Sequence, residues 1–279
     1  MRVISLGYHN VVEESECEFG SAPASGRMRY NLGKVEFKSH LVAMAQASGT
    51  HPLTASELAN MQCERLPFLL TFDDGHVSSY TCVADLLEGL GWRGNFFVST
   101  DYIGTPGFVT SQQIRSLRNR GHIIGSHSCS HPERMSHFTW SRLIEEWTRS
   151  VTSLSDILGE QVTAASVPGG YYSRKVAEAA SIAGIRTLFK SEPVTKCHDV
   201  DGCAVLGRYT ILRRMSPAIV GGIAAGTVVP RLKQLLFWRF KEIGKRLGGE
   251  TYLKVRQRII KYEWYTERLI GAGGAHFLK

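Results

Sequence analysis

No Cys-x-x-Cys pair occurs in the 279-residue chain: its six cysteines stand at 17, 63, 82, 129, 197 and 203. The segment Cys197-His198-Asp199-Val200-Asp201-Gly202-Cys203 has the letters of a metal site. Its spacing fits no standard zinc pattern, and it reads as a polar loop. The opening Met1-Arg2-Val3-Ile4-Ser5 lacks the long apolar core of a secretory signal. Reduced thiols and a cytoplasmic location are the expectation from these absences. There is no repeat and no low-complexity tract. The apolar stretch Ala218 to Val229 is twelve residues long and broken by glycines, too short to span a bilayer. What remains is a globular composition, 43% hydrophobic and 21% charged, at a length that buries a full core in one domain.

Acidic residues are scarce in one region only. Residues 208–279 hold fifteen Lys and Arg against four Glu, a net +11, whereas residues 1–207 carry a net −3. The basic character therefore belongs to the tail. Pro230 opens a helix there, with Leu232, Leu236, Phe240, Ile243 and Leu247 on one face and Arg231, Lys233, Arg239, Lys241, Lys245 and Arg246 largely elsewhere. Gly248-Gly249 breaks it, and a second helix runs from Glu250 to about Ile270. Two readings stay open. Residues 230–279 could lie on the inner face of an anionic membrane, each basic residue adding about 1 kcal/mol. Alternatively the helices pack on the rest of the chain with a solvated basic face. No recognised nucleic-acid-binding module accompanies the charge, so nucleic acid is not an expected partner.

Two short segments carry the chemistry. Thr71-Phe72-Asp73-Asp74-Gly75 closes an apolar run that begins at Leu66, which predicts a buried strand ended by Gly75. Successive side chains on a strand point to opposite sides, so Asp73 and Asp74 cannot do the same job. One can ligate a cation; the other can take a proton from a water bound there. About fifty positions later comes His127-Ser128-Cys129-Ser130-His131, again after a strand-like run, Ile123-Ile124, flanked by Gly121 and Gly125. Two histidines four apart share one face if the segment is a helical turn. Alone, the Asp-Asp-Gly reads as a solvated turn and the His pair as surface polarity. Together they are the parts of a mononuclear site for a divalent metal, zinc above all, with cobalt, iron or manganese also suited.

In this order the two motifs resemble those of the polysaccharide deacetylase family (carbohydrate esterase family 4, the NodB homology domain): T-F-D-D-G, then H-[ST]-x-x-H. The match extends through Phe108 to Pro132 and covers about residues 1–215. The resemblance implies a distorted (β/α) barrel, α/β in class, with the site at the carboxyl ends of the strands. It divides the chain into a catalytic domain, 1–215, and a basic amphipathic helical tail, 216–279. It implies Asp73 as general base and Asp74, His127 and His131 as metal ligands. The family's third motif, R-x-P-[aromatic or Gly]-G, reads here Ser166-Val167-Pro168-Gly169-Gly170-Tyr171. The turn is kept, so Pro168, Gly169, Gly170 and Tyr171 are expected at the oxyanion and substrate. The arginine that orients the base is replaced by Ser166; Arg208 or Arg213 are its possible substitutes. The family's late Leu-x-His, source of the general acid, is absent from residues 200–220. His9, in Leu6-Gly7-Tyr8-His9, is a candidate acid or substrate contact, or else a structural histidine at a strand end.

Elsewhere the pattern alternates. Strands are expected at 3–8, 66–72, 94–98, 122–126, 162–167 and 186–189. Helices are expected at 37–47, from Thr54, and at 79–90, 110–120, 140–158 and 173–183, an α/β arrangement. Removal of acetyl from an N-acetylated saccharide, in exopolysaccharide or cell-envelope glycan synthesis, is the expected activity. The alternatives are a carbon–nitrogen hydrolase for a small non-sugar amide, or a scaffold that binds carbohydrate without turnover.

Overall fold

The parallel strands are built from runs that water never reaches. In the computed structural model, which describes residues 1–15, 27–60, 66–240 and 242, β1 (Ile4–Tyr8) is buried at every position. After the short pair β2 (Asn10–Val12) and β3 (Asn31–Gly33) comes β4 (Phe68–Phe72), likewise buried throughout. Next are β5 (Asn95–Val98), β6 (Ile123–Ser126), β7 (Ala164–Ser166) and β8 (Thr187–Lys190). A hairpin of β9 (His198–Val200) and β10 (Cys203–Gly207) leads into β11 (Tyr209–Thr210). The nine-stranded sheet has the order β11-β1-β4-β5-β6-β7-β8-β10-β9. Every pairing in it is parallel except β9 with β10. Strands buried on both faces read as continuous apolar runs, which is why β1 and β4 show no alternation.

One stretch of chain links the two ends of this sheet. Cys203–Gly207 pairs with β8, and two residues further on Tyr209 and Thr210 pair with Leu6 and Gly7 of β1. The sheet thus curls into the distorted (β/α) barrel expected from the sequence. Its inward side chains, Leu69, Phe97, Ala164, Phe189 and Leu206, form an apolar floor. The outward ones, among them Ile4, Leu6, Phe68, Leu70, Phe72 and Phe96, pack beneath helices. Gly125 is required by the narrow interior, since a Cβ there would stand 2.6 Å from the Phe97 ring.

The helices follow the expected order: α1 (Lys34–Ser48), α2 (Ala84–Glu88, entered through a π turn at Ser79–Val83), α3 (Ser111–Asn119), α4 (Trp140–Leu158) and α5 (Arg174–Ile182). Thr110 and Gln113 cap α3 reciprocally. α6 (Pro217–Ala224) packs against α1 and puts Val220, Ile223 and Ala224 into the main core, so the packed unit reaches at least residue 224. Residues 228–240 form a further helix, α7. Among the described residues no helix is long and apolar enough to cross a membrane.

Two local expectations are corrected. The helix expected from Thr54 is only a 3-10 turn, Glu57–Asn60. Thr54 and Glu57 do bond each other, but Leu53 bridges to Leu69 and the Ala55 N–H donates to Asn95 Oδ1 at 2.7 Å, which ties the segment to the sheet. The segment 197–203 is no loop but the β9–β10 hairpin. Asp201 and Gly202 both take left-handed backbone (φ 52° and 79°), as a tight two-residue hairpin turn demands. The second tail helix and Gly248-Gly249 lie outside the described residues.

Candidate active site

Side-chain alternation carries the barrel's interior upward from floor to rim. On β4 the inward series is Leu69, Thr71, then Asp73; from β7 it is Ala164, then Ser166; from β10 it is Leu206, then Arg208. The apolar floor is thereby overlaid by polar groups at the carboxyl ends of the strands. Asp73, His127 and Arg208 are all buried there, 3%, 2% and 4% exposed.

Asp74 leaves the strand in left-handed backbone, φ 74°. That conformation costs a non-glycine residue roughly 1–2 kcal/mol, and aspartate is among the residues that tolerate it. It turns the Asp74 carboxylate away from Asp73 and toward the histidines. Asp74 Oδ1 stands 3.4 Å from His127 Nε2 and 3.2 Å from His131 Nε2, and Oδ2 stands 3.4 Å from His76 Nε2. Burial pushes this carboxyl up, but the imidazoles of His127, His131 and His76 outweigh burial and hold it well below the ordinary carboxylate value.

The two histidines meet through a loop rather than the helical turn considered above. His127 follows β6; Ser128 and His131 are both left-handed, φ 61° and 51°. The loop is held in this shape from several sides. Ser126 Oγ accepts from Ser128 N, Ser128 Oγ accepts from His131 N, and the carbonyls of Ser128 and Cys129 accept from Thr100 N and Asp101 N. Beneath it the fully buried Glu146 of α4 accepts from the N–H groups of Cys129 and Ser130, both 3.1 Å, and from Ser130 Oγ at 2.7 Å. On the far side of its ring His127 uses Nδ1 against the Ser166 carbonyl, 2.9 Å. A carbonyl can only accept, so Nδ1 carries the proton and Nε2 offers its lone pair to the site.

Donor atoms of Asp74, His127 and His131 lie within 4.8 Å of one another. Asp74 Oδ1, buried between the two imidazoles, nevertheless has no hydrogen-bond partner among the described residues. A buried carboxylate oxygen set between two imidazole nitrogens is what a divalent cation would satisfy, and one carboxylate plus two imidazoles suits zinc and its neighbours. The residues fit the group.

Asp73 points elsewhere. Arg208 Nη1 donates to its Oδ1 at 2.6 Å. Burial alone would raise Asp73, yet the Arg208 guanidinium, helped by His127, pulls it down to about 2. Arg208 reaches this point because it sits between β10 and β11, at the seam where the chain crosses from β8 to β1, with its side chain above Gly7. Arg213, the other arginine considered, uses its backbone N–H to pair with the Arg29 carbonyl. Ser166 stands in the strand below, its hydroxyl buried without a hydrogen-bond partner among the described residues; its carbonyl, not its side chain, serves the site.

The Pro168–Gly170 turn lies against the histidine loop. Gly169 takes φ 63°, and a Cβ on it would meet the Glu133 carbonyl at 2.5 Å, so glycine alone allows the approach. Tyr171 follows under the Arg134 guanidinium, 5.5 Å from its ring centroid. His9 packs against Tyr30, centroids 4.4 Å apart with the rings tilted at 45°, and its Nδ1 is buried without a hydrogen-bond partner among the described residues. Burial pushes its imidazole below the ordinary histidine value, although Asp74 and Asp73 are near enough to oppose that shift. His76 directly follows the Asp73-Asp74-Gly75 turn and faces Asp74, a signal the sequence reading passed over, whereas Glu146 is identified only by what it faces across the fold.

Residues 64–188 match the family model described as Polysaccharide deacetylase. Over those residues, a little under half of the chain, it is similar to the polysaccharide deacetylase family. Its relatives include deacetylases, hydrolases acting on carbon–nitrogen bonds. YxkH of Bacillus subtilis (strain 168) is 27% identical over 206 residues, 72% of this chain and 71% of YxkH. Peptidoglycan-N-acetylmuramic acid deacetylase PdaA of the same organism is 31% identical over 124 residues, 44% of this chain and 45% of PdaA. The Streptococcus pyogenes deacetylase PplD, solved with acetate, superposes with a TM-score of 0.66 at 21% identity, over 78% of this chain and 95% of PplD, a likeness of fold.

Proposed function

We propose that this protein removes N-acetyl groups from an N-acetylated saccharide, with one divalent ion bound by Asp74, His127 and His131. The reading is carried by the convergence of those three donors around Asp74 Oδ1, with Asp73 paired to Arg208 beside them. The ion supplies Lewis-acid polarisation of the acetamide carbonyl and makes water at the site more acidic. Asp73, kept ionised by Arg208, accepts the proton of the attacking water. The guanidinium also fixes which carboxylate oxygen is spent on the ion pair and which faces the water. The Gly169 N–H, in the turn Pro168-Gly169-Gly170-Tyr171, donates to the oxyanion that forms on the acetamide carbon. His9, whose ring stands among the same charges, lies beside the leaving amine as acid or substrate contact; that nitrogen gains a proton as the C–N bond breaks, and acetate and an amino sugar result.

A place in exopolysaccharide or cell-envelope glycan synthesis and a cytoplasmic setting belong to the same proposal. Free thiols at Cys82, Cys129, Cys197 and Cys203 agree with that setting. The scaffold alternative rests on Ser166 in place of the family's arginine and on the missing late histidine; Arg208 at 2.6 Å from Asp73 supports turnover against the first of these. The test is acetate release from N-acetylated oligosaccharides with and without chelator. Release that stops on chelation and returns with zinc is the expected result. Release only from small non-sugar amides, or none with any divalent metal, overturns it.

A further inference from the structure

The helix α7 is amphipathic, but it is mounted the wrong way round for a helix that merely packs on a core. Its inner face carries Arg231, Gln234, Leu235 and Trp238, all half-buried. Gln234 Nε2 donates to the Thr210 carbonyl at 2.7 Å, and Arg231 donates to the Gly226 carbonyl at 2.7 Å. Its outer face carries Val229, Leu232, Leu236 and Phe240, spaced three and four apart in one stripe. They are 60%, 49%, 47% and 71% exposed, with Val228 and Phe237 beside them at 64% and 62%. At 100° per residue Arg239 flanks this stripe on one side and Lys233 on the other. The choice left open by the tail's sequence, apolar face inward or outward, is resolved for these residues as outward.

Charge decides what suits this face. Residues 226–242 contain Arg231, Lys233, Arg239 and Lys241 against the single acidic Glu242. Residues 243–279 are also basic, eight Lys and Arg against three Glu. Neither that segment nor a second copy of α7 complements the stripe, since both bring more positive charge. An apolar ribbon edged with cations matches the boundary between acyl chains and anionic headgroups.

Orientation ties this surface to the site. Gly226, just before α7, lies against Ile4 and Leu66, at the amino ends of β1 and β4. Gln234 reaches Thr210, which pairs with Gly7 near the carboxyl end of β1. The helix therefore climbs along the β11 edge toward the rim that holds Asp73 and Asp74. Phe237 and Phe240, three and six residues past Gln234, stand about 5 and 9 Å further along that climb.

We propose that the outer face of α7 docks on an anionic lipid surface and brings the site to saccharide displayed at that surface. The docking stands on α7 alone; the substrate rests on the deacetylase reading above. The test uses the full chain and Leu232→Ser/Leu236→Ser/Phe240→Ser, whose sites are exposed, with circular dichroism to confirm the fold. In flotation with phosphatidylglycerol–phosphatidylcholine vesicles the unaltered chain is recovered and the variant about tenfold less. Lys233→Glu/Arg239→Glu also lowers recovery, as does raised salt, and phosphatidylcholine alone recovers little. Equal recovery of chain and triple variant overturns the proposal. So does absent vesicle binding with a dimer, in sizing, that the triple variant dissolves. With an N-acetylated glycolipid in the vesicles the triple variant loses about tenfold in turnover but keeps its rate on a soluble oligosaccharide. Equal turnover of the vesicle-borne substrate overturns the substrate half. Vesicle binding that follows this pattern without acetate release from any substrate upholds the docking and sinks the deacetylase reading instead.

Discussion

Strand β6 has a buried histidine beyond each end, and the two are used in opposite ways. His122, at the amino end, spends both ring nitrogens on the protein: Nδ1 accepts from Gly94 N at 3.1 Å, and Nε2 donates to Glu88 at 2.8 Å. Arg120 closes the network by pairing with Glu88 and Asp85. His127, at the carboxyl end, spends one nitrogen on the Ser166 carbonyl and aims the other at Asp74 Oδ1, 3.4 Å away, an oxygen with no hydrogen-bond partner among the described residues. Both rings are buried to the same degree, so burial does not separate structure from chemistry here. What separates them is what each ring faces: His122 meets a backbone N–H and the ion-paired Glu88, whereas His127 turns one nitrogen toward the Asp74 carboxylate beside His131.

The contrast is broken most sharply by deletion at each end. His127→Ala should lower kcat/KM by about 10³-fold or more while leaving a folded chain, because a metal donor is lost. His122→Ala should leave turnover per folded molecule nearly unchanged and cost about 1–3 kcal/mol in stability, by stranding the Gly94 N–H. Denaturant unfolding and steady-state kinetics on the same two samples decide it; a reversed pattern would falsify the division. A smaller effect is expected at the seam. Arg208→Met should reduce kcat/KM by about 10²-fold and move its acid limb to higher pH. The sign follows from Asp73: with Arg208 beside it the carboxyl sits at about 2, below the ordinary 3.8, and without the guanidinium burial pushes it up. The same pair should stabilise the fold above about pH 4, and that contribution should fade as pH falls through about 2. An unmoved acid limb would show that Asp73 is not the proton acceptor. Smaller again, Glu146→Gln should weaken zinc binding about tenfold or somewhat more, measured against a competing chelator, since its carboxylate braces the His127–His131 loop without touching the ion.

How much of this was legible depends on how local each feature is. Asp73 and Asp74 could be read because a buried strand and a turn lie within ten residues of each other. The two histidines could be read as a pair, but not the left-handed Ser128 and His131 that make them converge, since that backbone is imposed by Glu146, Thr100 and Asp101 from other elements. Arg208 lies 135 positions from Asp73, and only closure of the sheet through β10 and β11 joins them. Ser166 misled for a related reason: its side-chain identity changed, yet the backbone carbonyl that orients His127 is indifferent to side chain. The β9–β10 hairpin was signalled by Asp201-Gly202, but the polar residues around that turn read as a loop. The tail's amphipathic pattern was visible, whereas the direction of its apolar face required the Gln234–Thr210 contact to fix it.

The most direct measurement is a calorimetric zinc titration of the metal-stripped chain beside Asp74→Ala and His131→Ala. One ion per chain, with binding abolished or weakened by orders of magnitude in both variants, is the predicted result. A chain that takes up no zinc, or takes it up equally well without Asp74 and His131, would contradict the metal centre on which the account depends.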